Sequence, residues 1–395
     1  MSVHTAEWSP TSWREFPIQQ LPDYPNKEEL ERSYAELQTL PPLVTSWEIE
    51  SLKDKLAAVS EGKAFLFQAG DCAESFDLTR SSKIVNLVKV LLQTSFIMIH
   101  EMGVPVIRVG RMAGQYAKPR SSAFETVDGV EMHNYRGDLI NGFEKDQAKR
   151  VPDPKRLLEG YHKAGLTMNF IRALGDEGFA DLHYPEQWEL DFMQNNPYHQ
   201  EYESMVKSIT QAVKFMDAVS ERRLQQSQKV DFYTSHEALN LFYDSAQTRK
   251  VPRKEGYFNL SAHMVWLGNR TRDLDEAHVE YLRGIENPIG IKIGPPYTLD
   301  ATLKLIEKLN PSHEVGKIVL ITRFGKDQIQ QGLPGLIQAV RREGFPVVWS
   351  SDPMHGNTVK SNTGYKTRPL KSIVSEIHQF FQIPITLQNL LFYFR

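Results

Sequence analysis

Along the chain, short runs of nearly continuous apolar residues alternate with longer stretches in which apolar positions recur every three or four residues. Seven short runs stand out, at 64–68, 104–109, 230–234, 260–267, 289–293, 318–322 and 346–350, each followed by Gly, Pro or Asp and then a polar or helical stretch. Runs of this length without strict polar alternation predict strands covered on both faces, the situation of a parallel sheet beneath helices. Helical spacing between them is clearest at 82–100, at 302–309 behind the capping candidate Thr298, and at 333–343. The repeated strand-then-helix order predicts an α/β fold, either a barrel or a doubly wound sheet. Polar residues decide between the two. Cys72, Arg111, His236, Arg270, Lys292, Arg323 and His355 each follow a predicted strand within a few residues, and chemistry at the ends of many successive strands is the habit of a TIM-type (β/α)8 barrel.

Two stretches fall outside this alternation. The first, to about residue 62, has Pro-rich breaks and an acidic helix candidate at 27–38; the second is a long insert at about 152–228. The insert places Leu157, Tyr161, Met168 and Ile171 at helical spacing and repeats the pattern at 205–219, which predicts a helical pair covering the barrel or forming a subunit contact. The expected organisation is an N-terminal extension at 1–62, the barrel with its insert at 63–381, and a divergent tail at 382–395.

Composition narrows the function classes. A formal net charge of −3 and a pI near 6.5, with no block of Lys or Arg, argue against nucleic acid as a partner. The polar start carries Pro10 and lacks the basic and apolar regions of a secretory signal. The apolar run at 84–99 is interrupted by Asn86, Lys89, Gln93 and Thr94 and reads as too short to cross a bilayer. Cys72 is the single cysteine, so no intrachain disulfide forms and a cytoplasmic location is expected. No repeat or low-complexity tract interrupts the alternation.

The candidate chemistry sits just past the predicted strands. Gln-Ala-Gly-Asp-Cys-Ala-Glu at 68–74 puts a thiol and two carboxylates after the first strand, and Asp-Pro-Met-His-Gly at 352–356 puts an imidazole after the last. Thiolate, imidazole and carboxylate together suit a divalent first-row metal; read alone, however, the residues favour Cys72 as a small buried side chain and His355 as a hydrogen-bonded loop residue over a metal pair. The loop at 110–122 gathers Arg111, Lys118, Arg120 and Ser121 with few opposing carboxylates, a set suited to phosphate or to a solvated basic loop. Arg270, Arg272, Lys292 and Arg323 extend the theme at later strand ends. In one barrel these cations converge and draw in a multiply anionic substrate. His236 and Glu237 offer an acid–base pair, with a structural role preferred for them.

The motifs Gln-Ala-Gly-Asp-Cys-Ala-Glu at 68–74, Gly-Arg-Met-Ala-Gly-Gln-Tyr-Ala-Lys-Pro-Arg-Ser at 110–121, Tyr-Arg-Gly-Asp at 135–138, Ser-His-Glu-Ala at 235–238 and Ser-Asp-Pro-Met-His-Gly-Asn-Thr at 351–358 occur in order, and together the chain resembles type II (plant-like) 3-deoxy-D-arabino-heptulosonate 7-phosphate (DAHP) synthases. The resemblance runs from Trp8 to about Phe381. It implies a barrel enzyme that condenses phosphoenolpyruvate with erythrose 4-phosphate and releases phosphate, at the first step of the shikimate pathway of aromatic amino acid biosynthesis. It also implies a divalent metal, manganese or cobalt ahead of iron or zinc, and a homo-oligomer that does not engage nucleic acid or membrane. Carried over by motif, Cys72 and His355 match metal ligands. Arg111, Lys292 and Arg323 match the catalytic groups that hold phosphoenolpyruvate, and Lys118, Arg120, Ser121, Trp266, Asn269 and Arg270 match the remaining substrate pocket.

Three departures from the family pattern carry expectations of their own. Asn269 replaces a pocket Glu, which predicts weaker substrate positioning. Pro296 replaces an Asn, which removes a backbone donor beside Lys292. After Phe381 the family continues into an eighth strand with a Glu ligand and then a segment with an Asp ligand, whereas 382–395 here contains no Asp or Glu. The expectation is a barrel lacking its eighth strand, an incomplete metal shell, an exposed sheet edge and low stability. The alternative to catalysis is then an inactive remnant that binds phosphate ligands or serves in assembly. A weaker alternative is a metal-free aldolase using Lys292 as a Schiff-base amine.

Overall fold

The computed structural model describes residues 7–176, 197–219, 231–362 and 365–386. Its centre is a seven-stranded parallel sheet whose strands neighbour one another in chain order. They are β1 (Phe65–Gly70), β2 (Val106–Arg111), β3 (Tyr233–Glu237), β4 (Met264–Leu267), β5 (Ile289–Ile293), β6 (Ile318–Thr322) and β7 (Val347–Ser351). Sequential order with helical crossovers curls the sheet into a nearly closed barrel, as predicted. Every strand pair is parallel, with Val319 of β6 opposite Gly290 and Val348 on its two sides.

Alternation within the strands explains why both faces are apolar. Val319 and Ile321 point into the barrel with Val109, Tyr233, Met264, Trp266 and Val348, while Ile318 and Leu320 pack outward under the helices. Gly290 lies beside Trp266 in register, and a Cβ there would stand 2.8 Å from the Trp266 Cβ, so this glycine makes room for the largest side chain of the interior. The N-terminal mouth is plugged by Leu52 and Leu56 of a helix before the barrel.

That helix, α2 (Ser46–Ser60), follows α1 (Lys27–Thr39), and both begin on side-chain caps. Thr45 and Glu48 form a reciprocal capping box at the start of α2, satisfying two otherwise orphaned backbone donors. The 22-residue α3 (Ser81–Met102) carries Ile84, Val88, Leu91, Leu92 and Phe96 at helical spacing as its buried stripe. This corrects the expectation for the run at 84–99: the helix is long and apolar enough, by length and composition, to cross a membrane. Here its apolar stripe packs against the first two barrel strands and Ile171.

The insert contains the expected helical pair, α4 (Lys155–Asp176) and α5 (His199–Val219); Leu157, Tyr161 and Met168 of α4 join the core built around α1. The remainder of the predicted insert, at 177–196 and 220–228, lies outside the described residues, as does Val230 of the third predicted strand. The later helices α6 (Leu299–Leu309) and α7 (Ile329–Arg342) cover β5 to β7. Thr298 caps α6 through the Ala301 N–H at 3.3 Å, as its position suggested.

The last helix, α8 (Leu370–Thr386), continues five residues past Phe381, where the divergent tail was expected to begin. Residues 387–395 of that tail lie outside the described residues. Among the described residues no eighth strand joins β7 to β1; the two edges flank a cavity of about 750 Å³.

Candidate active site

Cys72 and His355 lie 283 residues apart and meet because β1 and β7 deliver their following loops to the same end of the barrel; Cys72 Sγ is 3.5 Å from His355 Nε2. The orientation of His355 comes from Asp352, three residues earlier in the same turn. The Asp352 carboxylate takes the His355 Nδ1–H at 2.7 and 2.9 Å, leaving Nε2 aimed at the thiol. A carboxylate on the far ring nitrogen is the arrangement that fixes the tautomer of a metal-binding imidazole.

The same carboxylate faces Lys292 Nζ at 3.4 Å. Lys292 is 7% and Asp352 9% exposed, so each charge is held by the other. Burial works to raise the Asp352 pKa, but the hydrogen bond to His355 and the charge of Lys292 overcome it and hold the group far below the usual carboxylate range. Asp352 in turn raises His355 through its hydrogen bond. The hydrogen bond from His355 opposes burial at Cys72 and, with the charges of Arg111 and Lys292, brings the thiol down to about 7. A thiolate is therefore accessible near neutrality, as metal ligation requires.

Trp266, fully buried, forms the floor. The Arg111 guanidinium lies 4.7 Å and Lys292 Nζ 5.6 Å from its ring centroid, so two cations share one aromatic surface. Arg111 is held by the Asp71 and Cys72 carbonyls at 3.2 and 3.3 Å. Arg323 donates to the His355 carbonyl at 3.2 Å, and its buried Nε has no protein partner. That orphaned donor, beside two gathered cations, suits an anionic ligand.

A second cationic group lies along the loop after β2. Arg270 donates to Ser121 Oγ at 3.0 Å, Lys118 Nζ stands 5.6 Å from the Tyr135 ring centroid, and Arg120 Nε donates to the Tyr135 carbonyl at 2.5 Å. Burial and then Arg120 lower the pKa of Lys118; burial, Arg150 and Arg270 lower that of Arg120, with Glu125 offsetting only part. Cations that depress one another are poised for a polyanion. Asn269 accepts from Arg272 Nε at 3.2 Å, and Arg272 donates to the Pro296 carbonyl at 2.7 Å, so the two departing residues are joined through one arginine. The Pro295–Pro296 bond is cis.

Other chemical candidates are occupied structurally. Glu74 turns its carboxylate into the loop after β2, accepting the N–H groups of Ala113, Gly114 and Gln115 at 3.0, 3.1 and 2.7 Å, with burial raising it to about 7. It shapes the anion loop instead of facing Cys72. His236 pairs with buried Asp244 at 2.8 Å, and Asp244 also accepts from Asn259 at 2.9 Å, the structural role preferred for that imidazole. Glu237 lies against Gly268, where a Cβ would stand 2.1 Å from its Oε1.

Sequence reasoning missed Asp352 as the group that orders His355 and Lys292, although its place three residues before the histidine was the available signal. It also missed Glu376 of α8, fully buried and bonded to the loops after β6 and β7. Cys72 and His355 fit half of a divalent-metal shell. Among the described residues, no group of three or more His, Cys, Asp and Glu is placed to hold a metal.

A sequence profile of the Class-II DAHP synthetase family matches residues 8–391. Proteins named phospho-2-dehydro-3-deoxyheptonate aldolase are 43% identical to the chain in Streptomyces coelicolor, covering 97% of this chain and 85% of that protein, and 43% identical in Neurospora crassa, covering 95% and 81%. A third of that name, from Mycolicibacterium smegmatis, is 42% identical over 88% of this chain and 75% of its own.

Proposed function

The chain belongs to the class-II DAHP synthetase family, and from that premise we propose that its barrel-end site condenses phosphoenolpyruvate with erythrose 4-phosphate. The products are DAHP and phosphate, the first step of the shikimate pathway. The observation that carries this reading is the convergence of Arg111 and Lys292 on Trp266 beside the Cys72–His355 pair.

In this reading Arg111, Lys292 and Arg323 hold the carboxylate and phosphate of phosphoenolpyruvate over Trp266. Lys118, Arg120, Ser121 and Arg270 hold the phosphate of the aldose, with Asn269 positioning Arg272 at the rim. Fixing both anions sets the enol carbon against the aldehyde carbon, so orientation supplies a large share of the rate. The new carbon–carbon bond leaves an oxocarbenium-like centre, which takes up water as phosphate departs; the fixed cations stabilise the negative charge that moves onto the phosphate. A divalent metal, manganese or cobalt by preference, is assigned to Cys72 and His355; when bound it supplies Lewis-acid polarisation of the aldehyde carbonyl. Asp352 keeps Lys292 ion-paired and the His355 tautomer fixed. We further propose a cytoplasmic homo-oligomer, assembled through the N-terminal extension and the insert.

The test is phosphate release from the two substrates by the purified 395-residue chain, with manganese or cobalt and again after chelation. Chelator-sensitive release supports the reading. Chelator-resistant release favours a Schiff-base aldolase through Lys292. No release from folded protein that still binds phosphoenolpyruvate favours an anion-binding or assembly module.

A further inference from the structure

The N-terminal extension touches the loops after β2 and β4 through a short segment at 17–20. The Pro17 carbonyl accepts the Ala277 N–H at 2.9 Å, and the Gln19 side chain is hydrogen-bonded to Glu276. At the next residue, Gln20 Oε1 accepts the Arg120 N–H at 2.8 Å and the Gln20 carbonyl accepts from the Arg136 guanidinium at 3.1 Å. The two loops already meet through Arg270 and Ser121, so the extension bridges them a second time. Gln20 holds φ +63°, the left-handed region that a residue with a Cβ enters only at a cost. The turn by itself calls for glycine, and the side chain is what glutamine adds.

Both acceptors on Gln20 are neutral, and the groups they hold repel one another. Burial and then Arg120 lower the pKa of Arg136, and Arg270 acts on Arg120 in the same direction. Glu125, the carboxylate that acts on Arg120, is already bound to Arg150 at 2.6 Å. Amide and carbonyl oxygens therefore fix these arginines without cancelling the positive charge that attracts an anion. We propose that Gln20 is a positioning residue for the second anion subsite: it sets Arg120 and Arg136 for the phosphate of the aldose while leaving their charge uncompensated. The inference rests on the assignment of that subsite to erythrose 4-phosphate. Gln20 acts through Arg120 and reaches no reacting atom, and it makes the extension a part of substrate recognition. Two substitutions separate charge from shape. Gln20→Glu keeps the acceptor for the Arg120 N–H and adds one negative charge; Gln20→Gly relaxes the turn and removes the side-chain acceptor.

The experiment is calorimetric titration of the purified 395-residue chain and both variants with erythrose 4-phosphate, with phosphoenolpyruvate affinity and Tm measured alongside. Gln20→Glu is expected to weaken erythrose 4-phosphate binding by about tenfold or more, with the deficit narrowing as ionic strength rises. Gln20→Gly is expected to weaken it by about 3–10-fold while its Tm stays level or rises, because the strained φ is relieved. Phosphoenolpyruvate affinity is expected to stay within about twofold in both. Unchanged erythrose 4-phosphate affinity in either folded variant overturns the proposal, as does an equal loss of phosphoenolpyruvate affinity, which marks a general disturbance of the site. No response to erythrose 4-phosphate from the folded wild-type chain, with or without phosphoenolpyruvate, overturns the subsite and the proposal together. Binding that depends on Gln20 in a chain that releases no phosphate leaves the positioning role intact and refutes only the enzymatic reading.

Discussion

Glu376 ties the last helix to the two loops that carry Arg323 and His355, and replacing it tests whether α8 holds the active site together. One oxygen accepts the N–H groups of Phe324 and Gly325 at 3.1 and 2.9 Å; the other accepts Asn357 Nδ2 at 2.5 Å. Glu376→Ala leaves three donors without their acceptor. At roughly 1–3 kcal/mol for each buried unsatisfied group, with partial relaxation, the expected loss is about 3–5 kcal/mol. For a chain of this size that corresponds to roughly 4–6 °C in Tm. Glu376→Gln retains one acceptor oxygen and turns an amide N–H2 toward either Asn357 or the two backbone donors, so it loses about 1–2 kcal/mol. Calorimetry of the three proteins supplies the stability series, and steady-state phosphate release supplies kcat and KM. Because Arg323 and His355 sit on the released loops, kcat/KM is expected to fall at least about tenfold in the alanine variant at temperatures where it is fully folded. An unchanged Tm in Glu376→Ala, or full activity in a clearly destabilised variant, refutes the clamp.

Three further outcomes follow from the geometry. Arg111→Lys keeps the charge but loses the planar fork over Trp266, so phosphoenolpyruvate binding measured calorimetrically should weaken by about 10–100-fold; unchanged affinity removes Arg111 from the pocket. Cys72→Ala should abolish stoichiometric retention of manganese or cobalt after dialysis, measured by elemental analysis, while leaving Tm in chelator within about 1 °C; full retention removes Cys72 from the metal site. Buried His278, whose Nε2 donates to the Leu239 carbonyl at 3.1 Å, is lowered by burial to about 4. Its unfolded form binds a proton across pH 4 to about 6.5 while the native form does not, so stability present above that window is lost as pH falls through it, by about 3 kcal/mol at most. His278→Gln should flatten the denaturant-midpoint profile over that interval, and an unaltered slope rejects the assignment.

The strands most legible in the sequence were those buried on both faces throughout. The runs at 289–293 and 318–322 became β5 and β6 without change, because nothing but apolar contact acts on their side chains apart from Lys292 and Thr322 at the site end, where Thr322 Oγ1 donates to the Ser350 carbonyl. The run at 260–267 shrank to Met264–Leu267 because Ser261 and His263 serve polar networks with Asn259, Asp244 and Thr234. The run at 104–109 moved two residues on, since β2 carries Gly110 and Arg111 into the site within the strand. Periodicity records burial and cannot distinguish the end of a strand from the start of its functional loop.

The sequence by itself determined the barrel class, the helical extension and insert, and the cations gathered after the strands, because each is written in local spacing or in short motifs. Tertiary structure alone decided which of those residues touch. It turned Glu74 into a backbone anchor and His236 into a structural partner of Asp244; it gave Asp352 to both His355 and Lys292, and it set Arg111 and Lys292 on Trp266. Contacts between the ends of different strands depend on barrel curvature and register, which sum over the whole sheet and leave no mark in any one segment.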